Sequence, residues 1–210
     1  KNIFFDTAGK CTNEEIYYVI DAVSSAIEQR KKITFRYGVR RLNADRELET
    51  QYKKMTVSPY AMTWQEDHYY LIGNYSKYDN LLHLRIDRMH GVEVTREDSR
   101  PFSEVSDYKE QFDIADYTSR LFLMHGGPVE QVQLCCDKRL MEQVADRFAG
   151  KFTVGEVTDT HFSFTVSAAV SEGLVSWISG FGAAIRVLGP EELRKSVAAR
   201  AKEILKLYEE

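Results

Sequence analysis

Apolar residues first recur at helical spacing: Ile16, Val19, Ile20, Val23 and Ile27 fall on one helix face. The preceding Thr12-Asn13-Glu14-Glu15 has capping-box spacing, with Thr12 set to accept from a backbone N–H and Glu15 to reach back. Arg30, Lys31 and Lys32 suit the negative end of that helix and predict its stop. The period then changes to two. Ile33, Phe35 and Tyr37 alternate with Thr34 and Arg36, which predicts a half-buried strand. Residues 38–50 carry no periodic apolar set and read as a long polar loop. Short strands follow at 52–58, 60–64, 68–73, 81–86 and 92–95, with turns at Gln65-Glu66-Asp67 and Lys77-Tyr78-Asp79-Asn80. Pro59 lacks a ladder donor and marks an edge or a break. One helix followed by about five meandering strands predicts a small barrel, because an open sheet leaves edges exposed.

The second half has another rhythm. Residues 100–128 form a connector with a helix or two inside 107–123, closed by the turn chemistry of His125-Gly126-Gly127-Pro128. A strand at 129–136 leads to Asp137, a helix cap, and to a helix carrying Leu140, Val144, Ala145 and Phe148 that stops at Gly150. Strands at 152–157 and at Phe162, Phe164, Val166 and Ala168 come next. Ser171 opens a helix with Leu174, Val175 and Ile178, and a short strand spans 184–188. Pro190 sits where a first helical turn tolerates it, and Leu193, Val197, Ala201, Ile204 and Tyr208 line the last helix. The order β-α-β-β-α-β-α is the split βαβ, ferredoxin-like pattern plus a terminal helix. The expected class is therefore α+β, with a segment and helix at 1–32, a barrel at 33–100, a helical connector at 101–128 and a ferredoxin-like domain at 129–210.

Composition narrows the function classes. Hydrophobic residues make up 43% and charged residues 29% of 210, the balance of a folded chain rather than a collagen-like or disordered one. No apolar run approaches the roughly 18–20 residues of a membrane helix, and residues 1–10 lack a signal-peptide core. Cys11, Cys135 and Cys136 cannot form a disulfide framework, which fits a reducing, cytoplasmic setting. The chain starts with Lys, not Met, which fits a piece of a longer protein. Net charge is −4, yet residues 30–54 hold nine basic and three acidic side chains. That stretch is either a solvated loop or a local positive field for an anion or nucleic acid.

Known chemistries leave little trace. The histidines (His68, His83, His90, His125, His161) are scattered, there is no Cys-x-x-Cys, and adjacent Cys135 and Cys136 on a strand point to opposite faces, so no metal site is expected. Gly180-Phe181-Gly182 lacks the third glycine and the preceding strand of a dinucleotide fingerprint. Glu14-Glu15 and Glu191-Glu192 sit at helix starts, where the helix dipole accounts for them. No nucleophile, base and oxyanion stabiliser come together, so neither catalytic residues nor a cofactor are expected. One constellation remains. Leu82, Leu84 and Ile86 share the core face of a strand, and His83 and Arg85 share the other. Tyr69 and Tyr70 on the neighbouring strand point to opposite sides, so one ring reaches the His83/Arg85 face in either register. A ring beside an Arg gives a stacking surface and a phosphate-binding fork, the toolkit of nucleotide or single-strand recognition. The plainer alternative is a Tyr covering an Arg on an exposed sheet, with Asp87 salt-bridged to a neighbour.

At these residues the chain resembles the WYL-domain family, with Tyr69-Tyr70-Leu71 at the Trp-Tyr-Leu triplet. Ile33-Thr34-Phe35-Arg36-Tyr37, Val57-Ser58-Pro59-Tyr60 and Leu84-Arg85-Ile86-Asp87-Arg88-Met89 fit the flanks. Asp146-Arg147-Phe148, Trp177-Ile178 with Phe181-Gly182, and Leu188-Gly189-Pro190-Glu191-Glu192-Leu193 resemble the C-terminal extension that follows such domains. The resemblance implies a bacterial transcriptional regulator whose winged helix-turn-helix binds duplex DNA and lies outside these residues. It implies an Sm-like or SH3-like sensor barrel for a nucleotide or single-stranded nucleic-acid effector, and a ferredoxin-like extension that supports a homodimer. By position the pocket would draw on Tyr37, Tyr60, Tyr69, Tyr70, His83, Arg85 and Arg88, with Arg85 and Arg88 as the anion contacts. The rivals are a purely structural assembly module without a ligand and an enzyme with an unrecognised site.

Overall fold

The structure is a computed structural model that describes residues 15–108 and 112–209. Thr12 of the expected capping box lies outside the described residues. The chain divides into two compact units, one ending at Phe112 and one starting at Asp113.

In the first unit, helix α1 (Ile16–Glu28) buries Val19, Val23 and Ala26. Arg30 takes a left-handed conformation (φ 52°) and turns the chain into strand β1 (Lys31–Leu42). Strands β2 (Leu48–Gln65), β3 (His68–Asn74), β4 (Leu82–Arg85) and β5 (Met89–Asp98) complete one antiparallel sheet in the order β4-β3-β2-β1-β5. Glu66 and Asp67 (φ 49° and 59°) make the two-residue turn between β2 and β3, of the hand that matches strand twist. The core combines Val19, Val23 and Ala26 with Ile33, Phe35, Val57, Leu71, Leu84, Ile86 and Met89. Each large side chain fully removed from water there contributes about 1.5–3 kcal/mol.

Two expectations are corrected. The sheet does not close into a barrel: among the described residues no ladder joins β4 to β5, and both are edges. Strand β4 has only four residues, and a single 3-10 turn (Ile86–Arg88) carries the chain on to β5. Residues 38–50 are mostly not a loop. Strands β1 and β2 stay paired out to Leu42 opposite Leu48, so only the tip, 43–47, is irregular. Apart from Gly38, neither face of this outer ribbon is buried, so its strands carry no apolar alternation to read. Pro59 interrupts β2 only as a register shift between Pro59 and Ala61, where the strand passes from pairing with β1 to pairing with β3.

Of the helix or two expected inside 107–123, where 109–111 lie outside the described residues, the second unit shows α2 (Ile114–Ser119), capped by Asp113, whose carboxylate accepts from the Asp116 N–H at 2.9 Å. Strands β6 (Val129–Asp137), β7 (Thr153–Val157), β8 (His161–Ala169) and β9 (Ile185–Gly189) form an antiparallel sheet in the order β7-β8-β6-β9. Helices α3 (Met141–Phe148), α4 (Glu172–Gly180) and α5 (Glu191–Lys206) intervene and follow. Alternate residues Val132, Leu134 and Cys136 of β6 and Phe162, Phe164 and Val166 of β8 are buried with Val144, Phe148, Leu174, Ile178 and Leu193 of the helices. Ser171 caps α4, accepting from the Leu174 N–H at 3.3 Å. Among the described residues no helix is long and apolar enough to cross a membrane.

Candidate functional site

The pairing of β3 with β4 decides which tyrosine meets the arginine. Tyr70 stands opposite Arg85, Leu71 opposite Leu84 and Ile72 opposite His83. Paired residues share a face, so Tyr70 neighbours Arg85, and His83 lies two residues along on the same side. Leu71 and Leu84 fill the core face. Tyr69 points the other way: it pairs with Trp64 of β2, ring centroids 4.6 Å apart, and is 40% exposed.

The 3-10 turn after β4 shapes the rest of the corner. Ile86 is fully buried in the turn, and Asp87 folds back on Arg85. The Arg85 Nε–H and Nη2–H donate to the two Asp87 oxygens at 3.0 and 2.7 Å. Their side chains are only 24% and 17% exposed, so the pair is held and partly desolvated. It uses the Nε edge of the guanidinium, and Nη1 is not part of it. The hydrogen bonds that Arg85 donates to Asp87 hold its guanidinium above its ordinary range, against the effect of burial. Burial alone pushes the Asp87 carboxyl up, but hydrogen bonds and charge from Arg85, with His68 and Arg88 adding, leave it below the usual carboxylate range.

Two phenols flank this pair. The Tyr37 hydroxyl of β1 accepts the backbone N–H of Arg85 at 3.2 Å, satisfying an outward amide of edge strand β4 where no ladder does so. Burial raises the Tyr70 phenol, with Glu66 adding to the rise, while the cationic fields of Arg85 and Arg88 oppose it. Arg88 ends the turn, is exposed, and enters none of the ion pairs among the described residues.

Of the seven residues expected from sequence, Tyr37, Tyr70 and Arg85 therefore meet at one corner, Arg88 ends the turn that follows Arg85, and His83 shares the face of Tyr70 and Arg85. Tyr69 does not join them. Tyr60 serves the fold instead. Its hydroxyl donates to the Arg100 carbonyl at 2.9 Å and its ring meets Phe102 at 5.1 Å. Arg100 in turn holds Asp79 at 2.8 Å and Glu104 at 3.1 Å, which fastens the segment after β5. Asp87 is salt-bridged to its neighbour Arg85, as the plainer alternative has it, whereas Glu66 and His68, whose charges act on Tyr70 and Asp87, were not expected at the corner. The clue to Asp87 lies in the spacing: two residues after Arg85, across a tight turn, its carboxylate reaches the guanidinium.

A groove of about 640 Å³ with largely apolar walls lies in the second unit, between β9 and α5. It is lined by Ile185, Val187, Leu188 and Val197 with Arg186 and Arg194, and contains none of the seven. Among the described residues no group of His, Cys, Asp and Glu could hold a metal ion.

A model of the WYL domain matches residues 18–94, and a model of the WCX domain matches residues 128–205. No curated protein matches the chain. Among solved structures, it is similar to Proteasome accessory factor B/C (PafBC) of Arthrobacter aurescens, at 20% identity and TM-score 0.35, over 88% of this chain and 26% of that one. It is also similar to a CRISPR Cas-related protein, at 14% identity and TM-score 0.49, over 92% of this chain and 52% of that one. The chain thus spans about a quarter of the first and about half of the second.

Proposed function

We propose that this chain, which carries a WYL domain followed by a WCX domain, is the ligand-sensing and dimerisation region of a bacterial transcriptional regulator. The ligand is an anionic nucleotide or a short single-stranded nucleic acid. The observation that carries this reading is the corner itself: Tyr70 in register with Arg85, Arg85 locked by Asp87 through its Nε and Nη2 groups, and an exposed Arg88 at the end of the adjoining turn. In the reading, a phosphate lies across Arg88 and the Nη1 edge of Arg85, and a base or sugar packs on the Tyr70 ring. The second unit, read as ferredoxin-like, joins two copies. Effector binding then biases the placement of the two protomers, and through it the winged-helix part of the regulator that contacts duplex DNA. Such coupling needs an effector that prefers one arrangement over the other. The role is non-catalytic and cytoplasmic.

Calorimetric titration with nucleoside mono- and diphosphates and a 5′-phosphorylated trinucleotide tests the reading. Native chain binding at least one of them, with Arg88→Ala at least tenfold weaker and Arg85→Ala weaker still or unfolded, supports it. Equal binding by native and Arg88→Ala chains, or no binding by the native chain, refutes it. The Arg85–Asp87 pair is the one feature that favours an assembly module without a ligand; that alternative requires a tight dimer whose thermal midpoint no anion moves.

A further inference from the structure

The open face of the β5–β1–β2 sheet carries a second arrangement, on the side of β1 opposite Tyr37. Arg36 stands in register between Lys54 of β2 and His90 of β5, so three basic side chains occupy one rung of three adjacent strands. Arg36 and Lys54 are exposed, and neither enters an ion pair among the described residues. His90 Nδ1 lies 3.5 Å from a Glu15 oxygen. Like charges directly opposite across a strand pair destabilise a sheet, so the fold gains nothing from Arg36 facing Lys54.

One rung outward, Tyr52 faces Gly38. The ring lies so close over the glycine that a Cβ there would stand 3.2 Å from a ring carbon. The Arg36 guanidinium lies over the ring at 5.3 Å, the His90 ring meets it edge-on at 5.3 Å, and Tyr52 stays 51% exposed. A further rung out, Arg40 faces Thr50 on the same side. The acids of the hairpin are elsewhere: Asp45 and Glu47 in the tip, and Glu49 opposite Arg41 on the other face. On β5, Glu93 stands one step inward, opposite Thr34. From the Arg36 rung outward, the two hairpin strands therefore offer three cations and an aromatic ring on this face with no carboxylate of their own, the Glu15 carboxylate standing only at the His90 edge. Arg36 to Arg40 spans about 13 Å, two or three nucleotides of an extended strand.

We propose that this face binds the phosphate backbone of a single-stranded nucleic acid, with Arg36, Lys54 and Arg40 on successive phosphates and an unpaired base against Tyr52. A solvent-facing ring has no use for the bases of a duplex, which are stacked inside it, and this selects the single strand. Arg36 and Tyr37 are neighbours that point to opposite faces of β1, so this surface does not rest on the Arg85–Arg88 corner and is separable from it by mutation.

Fluorescence anisotropy with labelled (dT)12, at several salt concentrations, tests it on the whole chain. The Arg36→Gln/Lys54→Gln variant is expected to bind at least tenfold more weakly at low salt and to flatten the log K against log salt slope by about 1.4, or 0.7 for each phosphate no longer neutralised. Its thermal midpoint is expected to hold or rise, because opposed like charges are removed; a merely structural role would lower it. Tyr52→Ala is expected to weaken binding about five- to a hundredfold. No binding by the native chain, an unchanged slope in the double variant, or tighter binding of a 12-base-pair duplex overturns the proposal. Arg88→Ala, run in parallel, reports on the other corner: loss of binding there with an intact double variant also overturns this assignment while sparing the sensor reading.

Discussion

Asp87→Asn separates the two roles of the Arg85–Asp87 pair, holding the fold and setting the charge that a ligand meets. The amide keeps the shape of the carboxylate but removes its charge. Two charge-assisted hydrogen bonds, 3.0 and 2.7 Å long between largely covered side chains, are weakened. The stability cost is about 1.5–3 kcal/mol, a fall of about 1 M or more in the urea midpoint of the first unit. Ligand binding is expected to move the other way. A phosphate on the Nη1 edge of Arg85 would sit roughly 7 Å from the Asp87 carboxylate, across the guanidinium. Removing one unit charge at that distance relieves about 0.6 kcal/mol in water-like screening and about 2.4 kcal/mol at an effective dielectric of 20. Affinity for a phosphorylated trinucleotide should therefore rise about 3- to 50-fold. Calorimetry gives the affinity, and urea unfolding followed by fluorescence gives the stability. A folded variant with unchanged or weaker affinity would refute the placement of the anion beside Arg85. The pH dependence has a fixed sign. The folded Asp87 carboxyl titrates below its ordinary value, so the pair's contribution is complete above the usual carboxylate range and is lost as pH falls through the lowered value. The stability gap between native chain and Asp87→Asn should accordingly shrink from about pH 7 to about pH 3; a constant gap would remove the ion pair as its cause.

Tyr37→Phe deletes the acceptor of the Arg85 N–H and should cost about 0.5–1.5 kcal/mol in urea unfolding. The Cys136 thiol, fully buried on β6, is pushed up to about 12 by burial, with Cys135 adding; mass spectrometry after a thiol reagent at pH 8 should find Cys136 unmodified in the native chain and modified in urea. Gly173→Ala would set a Cβ inside contact distance of the Phe122 carbonyl and should destabilise the second unit despite the better helix former, whereas Gly180→Ala meets nothing and should stabilise by about 0.5–1 kcal/mol; thermal unfolding of both tests the contrast.

Burial is what the sequence can report. Ile33 and Phe35, Val132 and Leu134, and Phe162 and Phe164 each fill a core, and their alternation marks the strands. The outer ribbon escapes for the same reason: Val39, Arg40, Arg41 and Leu42 are paired but exposed, so pairing leaves no apolar trace. The barrel is over-read because strand number says nothing of closure; the four-residue β4 and the turn at Ile86–Arg88 leave the sheet open. At the corner, residue types are legible and register is not. The choice between Tyr69 and Tyr70 depends on the two-residue turn at Glu66-Asp67 and the pairing it sets. The Tyr60 hydrogen bond is not legible because its partner, Arg100, lies 40 residues away in sequence.

The most direct test is a crystal structure of the native chain grown with a 5′-phosphorylated trinucleotide. The account expects phosphate density within hydrogen-bond reach of Arg88 and of the Nη1 edge of Arg85, with a base or sugar on the Tyr70 ring and the Asp87 pair intact. A ligand bound elsewhere, with Arg88 still facing solvent, would contradict it.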